Sequence, residues 1–352
     1  MNFASDNTAP AAPAVMDALT RANARSAPAY GVDPWSEAAA AEIARIFERD
    51  CAVFLVSTGT AANALALAAA CPPWGAALCH RESHVENDEC NAPEFFAGGA
   101  KLVALPGRHG KLAPDTVLEA LDARPAGMVH AAQPAALSLT QASEAGTVYR
   151  PDEIAALAEA ARTRGLHVHM DGARFANAVA SLGCAPADIT WRAGVDVLTL
   201  GATKGGAMAA EAVVVFTPAL AETLAVRRKR AGHLVSKGRW LGAQMAGWLA
   251  DDAWLTLARH ANAMAARLAE GLAATGRRTA MPVEANEVFA VLRTDDVAAL
   301  RAEGAVFYDW PSAAMAEEAG LQNDETIVRL VCSWATVPDE VDTLLAVLER
   351  AA

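Results

Sequence analysis

Positive charge is scarce in this 352-residue chain: 29 Lys and Arg stand against 41 Asp and Glu, a formal net charge of −12. Such a field repels phosphate polymers, and the one dense basic run is Arg227-Arg228-Lys229-Arg230, so nucleic acid is not an expected partner. The six cysteines are scattered without a C-x-x-C pair, which argues against a zinc ribbon and a disulfide scaffold and fits a reducing compartment. No apolar run reaches the roughly 20 residues of a membrane span. The Ala-rich stretch from 61 to 70 contains Asn63 and stops at Cys71-Pro72-Pro73. Asp6 sits where a secretory signal would be basic, and no apolar core follows it. A cytoplasmic protein without membrane contact is therefore expected. Internal repeats and low-complexity linkers are also missing.

Apolar material is plentiful at 53% hydrophobic residues, enough for a large core, and the length predicts two domains or one large one. Strand-length apolar runs alternate with helix-length Ala/Leu/Glu/Arg patterns, the mark of an α/β architecture with a largely parallel sheet. Seven strands are predicted, at 52–56, 76–79, 101–105, 136–140, 166–170, 195–200 and 212–216. Helices are predicted at 61–70 and at 151–164, the latter opening on Pro151-Asp152-Glu153. Beyond about residue 235 the texture changes to long helices (241–249, 254–274) followed by strands at 287–293, 306–308 and 327–334. A last helix runs from Pro338 through Leu348. The chain thus divides into a large domain, 1–235, and a smaller α+β domain, 236–352.

The densest chemistry lies in two loops. His169-Met170-Asp171-Gly172-Ala173-Arg174 follows one strand, and Gly201-Ala202-Thr203-Lys204-Gly205-Gly206 follows another. Open α/β sheets bind ligands at the carboxyl ends of strands, where both loops fall. A lysine framed by glycines and kept from water can act as a Schiff-base nucleophile, and an acid opposite it can hold a pyridine nitrogen protonated. Ser57-Thr58-Gly59-Thr60, at a predicted helix start, offers backbone N–H groups and hydroxyls to a phosphate. Taken singly, the same features read as a helix cap, a salt-bridge partner and a solvated lysine. Together, and in this order at strand ends, they read as a cofactor site.

These residues resemble the pyridoxal-phosphate enzymes of the aspartate-aminotransferase fold type (fold type I), and within them the low-specificity L-threonine aldolases of the β-eliminating lyase group. The resemblance runs through Asn2–Asn7, Tyr30–Pro34, Thr58–Asn63, Ser83-His84-Val85, Gly146–Tyr149, the Lys204 loop and Asp171-Gly172-Ala173-Arg174-Phe175-Ala176-Asn177-Ala178, the most specific string. It implies pyridoxal 5′-phosphate as cofactor and cleavage of a β-hydroxy-α-amino acid to glycine and an aldehyde. Lys204 is then the covalent anchor and Asp171 the partner of the ring nitrogen. Thr58, Gly59, Thr60 and Thr203 lie about the phosphate, with Arg174 and Arg230 also on the cofactor, and His84 stacks over the ring. Arg174 and Arg329 clamp the substrate carboxylate, with Ser5, Tyr30 and Gln141 beside the substrate. On sequence alone Arg329 reads as an outward residue on a two-faced strand. His84 and Glu89 serve proton transfer, Glu89 through water or as an orienter.

The resemblance further implies a dimer of dimers with shared sites, in which one of Arg227–Arg230, first Arg230, reaches a neighbour's phosphate site. The chain departs from the pattern at Gln141, where many relatives carry a histidine, and at Gly205, where a bulkier polar residue is common. An amide is no general base at neutral pH, so this departure leaves the identity of the general base open and bears on selectivity between threo and erythro substrates. The alternatives are β-elimination or transamination on the same cofactor, or a non-catalytic regulatory protein of this fold. The remaining histidines lack metal-ligand spacing, no metal site is expected, and Trp240, Trp248 and Trp254 follow helical, core-forming spacing.

Overall fold

The computed structural model describes residues 1–351. Its first sheet has seven strands: β1 (Ala52–Val56), β2 (Gly75–His80), β3 (Lys101–Leu105), β4 (Gln133–Thr140), β5 (His167–Gly172), β6 (Val197–Gly201) and β7 (Glu211–Val215). Their order is β1-β7-β6-β5-β4-β2-β3. β7 pairs antiparallel with both neighbours, and every other pairing is parallel. A strand covered on both faces needs an unbroken apolar run, and β6 and β7 are buried at every position.

The helices Pro13–Ala22, Pro34–Ile46, Pro151–Arg162 and Arg239–Leu249 contribute to the core on one face of the sheet. Gly59–Ala70 and Pro218–Arg230 cover the other. Gly59–Ala70 is buried almost all round, between the strands and the helices Ala92–Phe96 and Pro218–Arg230. Its alanines follow from this position, since larger side chains would hold those three layers apart. Asp33 accepts hydrogen bonds from the backbone N–H groups of Trp35 and Ser36, capping Pro34–Ile46 before Pro34.

The second sheet, β10-β11-β9-β8, is antiparallel: β8 (Arg278–Thr279), β9 (Glu287–Arg293), β10 (Tyr308–Asp309) and β11 (Glu325–Val331). It shares a core with the helices Ala253–Ala274 and Pro338–Arg350. The N-terminal segment joins this sheet. Phe3 is fully buried, its N–H donates to the Val306 carbonyl, and its carbonyl accepts from Val331 N–H. Ser5, Asp6 and Asn7 are thereby carried to the gap between the sheets.

Three expected strands are shorter than predicted, and the first, expected over 195–200, begins only at Val197 because Val195 N–H turns to the Thr190 carbonyl. Of 306–308 only Tyr308 is strand, because Val306 forms an isolated bridge with Asn2. The strand expected over 327–334 ends at Val331, where Cys332 N–H turns to the Asn286 carbonyl and Ser333 N–H to Thr336 Oγ1. Among the described residues no helix is long and apolar enough to cross a membrane.

Candidate active site

The parallel register brings Thr140, Asp171 and Thr199 side by side near the carboxyl ends of β4, β5 and β6. Asp171 is almost fully buried; one carboxylate oxygen accepts Ala173 N–H at 3.0 Å and the other accepts Asn63 Nδ2 at 2.9 Å. The residue after it must be glycine, since a Cβ at Gly172 would stand 2.4 Å from the Thr199 carbonyl oxygen. Beside it His169 is held by Ser138 Oγ at 2.9 Å, and burial pushes its imidazole down to about 4, so it is neutral at pH 7.

Lys204 lines two adjoining cavities that share Asn7, His84 and Lys204 itself, so they form two halves of one cleft. The first half, about 280 Å³, contains Asp171, Asn63, Glu89 and the start of helix Gly59–Ala70. There Thr58 Oγ1 caps Ala61 N–H, and the Thr58 carbonyl accepts from Ala62 N–H. The first two N–H groups of the helix, on Gly59 and Thr60, are left for a ligand, and a Cβ at Gly59 would meet nothing within 4 Å. Cap and cradle are therefore both present at this turn. Ser57 closes the cradle and contacts His233 Nδ1 at 3.2 Å.

His84 stands on the wall between the halves, its Nδ1 2.8 Å from Glu89 Oε1, which also accepts Asn63 Nδ2 at 2.8 Å. The Glu89 hydrogen bond raises the His84 imidazole, and burial raises Glu89. The pair as a unit holds its proton to higher pH than free histidine does. Two buried polar atoms here, Asn63 Oδ1 and Glu89 Oε2, accept from no described residue.

The second half, about 240 Å³, is lined by Ser5, Glu144, Arg174, Trp310 and Arg329 among others. Arg174 is deeply buried and already engaged: Nε and an NH2 group donate to Asp6 at 2.9 and 3.1 Å, and Glu287 lies 3.2 Å away. Burial alone would lower Arg174 and raise Asp6; their pairing outweighs it, holding the guanidinium charged and Asp6 below the usual carboxylate range. Arg329 is freer. Its guanidinium packs over Trp310 at 4.6 Å, and its buried Nε donates to no described residue. The outward-facing reading of this strand residue is thus corrected: Arg329 faces the cleft between the sheets.

Three residues expected at the site lie elsewhere in the chain's own fold. Gln141 is fully buried with its amide spent on one peptide unit, Nε2 donating to the Tyr149 carbonyl and Oε1 accepting Tyr149 N–H, both at 2.9 Å. It pins the 141–149 loop and does not line the cleft. Tyr30 is half exposed and borders a different cavity, with Arg228 and His233. Arg230 is exposed at the end of its helix, whereas Arg228 turns inward with its NH1 3.3 Å from the Leu55 carbonyl. Thr203 remains at the cleft.

Several cleft residues were not anticipated from sequence: Asn7, Asn63, Glu144, Glu211, Trp310, and Glu287 behind the arginines. Glu211 accepts Ala202 N–H at 2.8 Å in the lysine loop, and burial pushes its carboxyl up to about 7. A charged residue opening the otherwise aliphatic run Glu211-Ala212-Val213-Val214-Val215 was the available signal for it.

Fold and cleft together define an α/β scaffold in which Lys204, Asp171 and the start of helix Gly59–Ala70 converge at strand ends. The chain belongs to the beta-eliminating lyase family, which matches residues 2–295, and within it to the low-specificity L-threonine aldolases. The low specificity L-threonine aldolase of Pseudomonas aeruginosa is 45% identical over 343 residues, covering 97% of this chain and 95% of that one. The solved threonine aldolase of Leishmania major superposes with a TM-score of 0.92 at 31% identity, over 99% of both chains. An aspartate aminotransferase from Thermus thermophilus superposes at 0.69 and 17% identity, over 100% of this chain and 91% of that one, a likeness of fold alone.

Proposed function

We propose that the chain is a pyridoxal-phosphate-dependent aldehyde-lyase that cleaves L-threonine, L-allo-threonine and related β-hydroxy-α-amino acids, phenylserine included, to glycine and an aldehyde. The observation that carries this reading is the position of Lys204, shared by a half-cleft ending in Asp171 and the Gly59–Thr60 cradle and a half-cleft ending in Arg329. The first half fits the cofactor. Free N–H groups at a helix start suit its phosphate, Lys204 suits its aldehyde carbon, and the doubly hydrogen-bonded Asp171 carboxylate suits a protonated ring nitrogen. When bound, the cofactor supplies an electron sink for the pair left on Cα as Cα–Cβ breaks.

The remaining work belongs to this chain. Arg329, with Arg174 behind it and Ser5 alongside, receives the substrate carboxylate and fixes rotation about the Cα–N bond, which selects the bond to be broken. His84 donates Nδ1–H to Glu89, leaving Nε2 as the lone-pair nitrogen that takes the β-hydroxyl proton. Glu89 orients the ring and stabilises its charged form. The exposure of Tyr30 and Arg230 outside the Lys204 cleft supports an oligomer, a dimer of dimers, in which they serve a neighbouring copy. A cytoplasmic role in threonine breakdown and glycine supply follows from the same reading.

The test is to add pyridoxal phosphate and L-threonine to the purified protein and assay the products. Acetaldehyde with equimolar glycine is expected, together with a visible absorption band that Lys204→Ala abolishes along with turnover. Ammonia plus a keto acid would assign β-elimination or transamination instead, and full turnover by Lys204→Ala would overturn the site.

A further inference from the structure

Behind the substrate half of the cleft lies a buried carboxylate that the reaction as described leaves unused. Glu287, the first residue of β9, is 1% exposed, and neither of its carboxylate oxygens hydrogen-bonds to a described residue. It stands between the two guanidinium groups: Oε2 is 3.2 Å from Arg174 NH1, and Oε1 is 3.8 Å from Arg329 NH1. A buried carboxylate placed between two arginines yet aligned with neither is not a finished salt bridge.

We propose that Glu287 is a positioning residue for the substrate carboxylate, holding Arg174 and Arg329 apart in the empty cleft and taking up a proton when the carboxylate arrives. The proposal rests on the assignment of Arg329 as carboxylate receptor. The groups facing Glu287 are Arg174 from the turn after β5, Arg329 from β11, Asp6 from the N-terminal segment and Glu144 from the loop after β4. Two cations and two other anions surround it, so the arriving carboxylate is a third. Like charges close together cannot all ionise cheaply, and the group that yields is the one least supported by hydrogen bonds. Asp6 is held by Arg174 and Asn286, whereas Glu287 has no such support. Burial already pushes the Glu287 carboxyl up to about 7, so its proton is available in the working range.

The consequence is a linkage with a fixed sign: carboxylate binding weakens as pH rises above about 7, because the proton must be drawn from a more dilute pool. If docking raises Glu287 by one unit, affinity falls about fivefold between pH 7 and pH 9 from this group alone.

The experiment titrates holoenzyme with glycine at pH 7, 8 and 9, following the cofactor absorbance, in the native protein and in Glu287→Gln and Glu287→Asp. Comparison at equal pH cancels the titration of the glycine amine. Glu287→Gln is expected to lose about fivefold less affinity than the native protein over this range, and Glu287→Asp to retain the native slope. Parallel slopes in native and Gln proteins would overturn the proposal. If Glu287→Gln does not fold, calorimetry on native holoenzyme in two buffers at pH 8 decides: glycine should take up more protons than ethanolamine, which lacks the carboxylate. Equal uptake would overturn it. Failure of the aldolase reading is a separate result, no acetaldehyde from threonine in the native protein.

Discussion

Gly205, directly after Lys204, is packed by one particular ring, and this gives a quantitative prediction. A Cβ at this position would lie 3.0 Å from Trp248 Nε1, 3.1 Å from Cζ2 and 3.3 Å from Cε2. Gly205 is not in the left-handed region, so replacement is opposed by crowding and not by backbone strain. The ring cannot simply retreat. Trp248 is 1% exposed, donates Nε1–H to the Gly205 carbonyl at 3.0 Å, and packs against Trp254 with ring centroids 5.6 Å apart. Overpacking by Gly205→Ala should cost about 1–3 kcal/mol. Trp248→Phe removes a hydrogen bond worth about 1 kcal/mol and leaves part of the ring volume empty, for a total of about 2–3 kcal/mol. Phenylalanine lacks the nitrogen and outer ring carbons that crowd the new Cβ, so the double variant should cost about 1–3 kcal/mol less than the sum. Urea unfolding of the four proteins at one fixed cofactor concentration measures the coupling. Additivity within about 0.5 kcal/mol would refute the claim that this ring dictates glycine beside the lysine.

Other perturbations address the cleft group by group. Glu89→Gln removes the carboxylate that raises His84, so the acid limb of kcat/KM for threonine cleavage should move to lower pH, while His84→Ala should cost about 10²–10⁴-fold; an unmoved limb would disconnect the pair from proton transfer. Arg329→Leu should raise KM about 10–100-fold, the loss of a charge-assisted hydrogen bond of about 1.5–3 kcal/mol, with Arg329→Lys recovering only part of it. Asp6→Asn breaks a buried pair and should cost up to about 3–5 kcal/mol in urea unfolding, with the residual Glu287 contact reducing that figure. Because Asp6 is depressed in the fold, its stabilisation is present above about pH 4 and lost on acidification, so the native protein should lose more stability than Asp6→Asn between pH 5 and pH 3.

Much of the scaffold was legible because its strands are short apolar runs, whether fully buried like β6 and β7 or partly exposed at the sheet edges like β1 and β3. Ala52–Val56, Lys101–Leu105 and Glu287–Arg293 coincide with their predicted bounds, each being a short apolar run closed by polar or turn residues. The ends of β11 and β10 were not legible, since the bonds that stop them come from Asn286 and Asn2, distant in sequence or at a chain end. The same distinction divides the site. Lys204, Asp171 and the Gly59 turn announce themselves by local chemistry at strand ends. Asn63 reads as a polar interruption in an alanine helix, and its purpose appears only when Asp171, 108 residues away, is brought within 2.9 Å.

The arginines show why the substrate half is harder to read than the cofactor half. Local sequence tells that Arg174 follows a strand-end Asp and that Arg329 sits mid-strand, but not which of their charges is already spent. Asp6 reaches Arg174 across 168 residues because Phe3 is threaded into the second sheet. That threading consumes the Arg174 fork and leaves Arg329 as the less committed cation, with an indole beneath it and Glu287 Oε1 no nearer than 3.8 Å. A guanidinium on an aromatic face is weakly solvated, and with its NH2 on the Ala4 carbonyl and its Nε without a partner, Arg329 suits an anion arriving from the cleft. In the proposed reaction the two halves take different parts of an amino acid: the lysine side its nitrogen, the arginine side its carboxylate. The histidine on the wall between them stands where a β-hydroxyl would have to lose its proton.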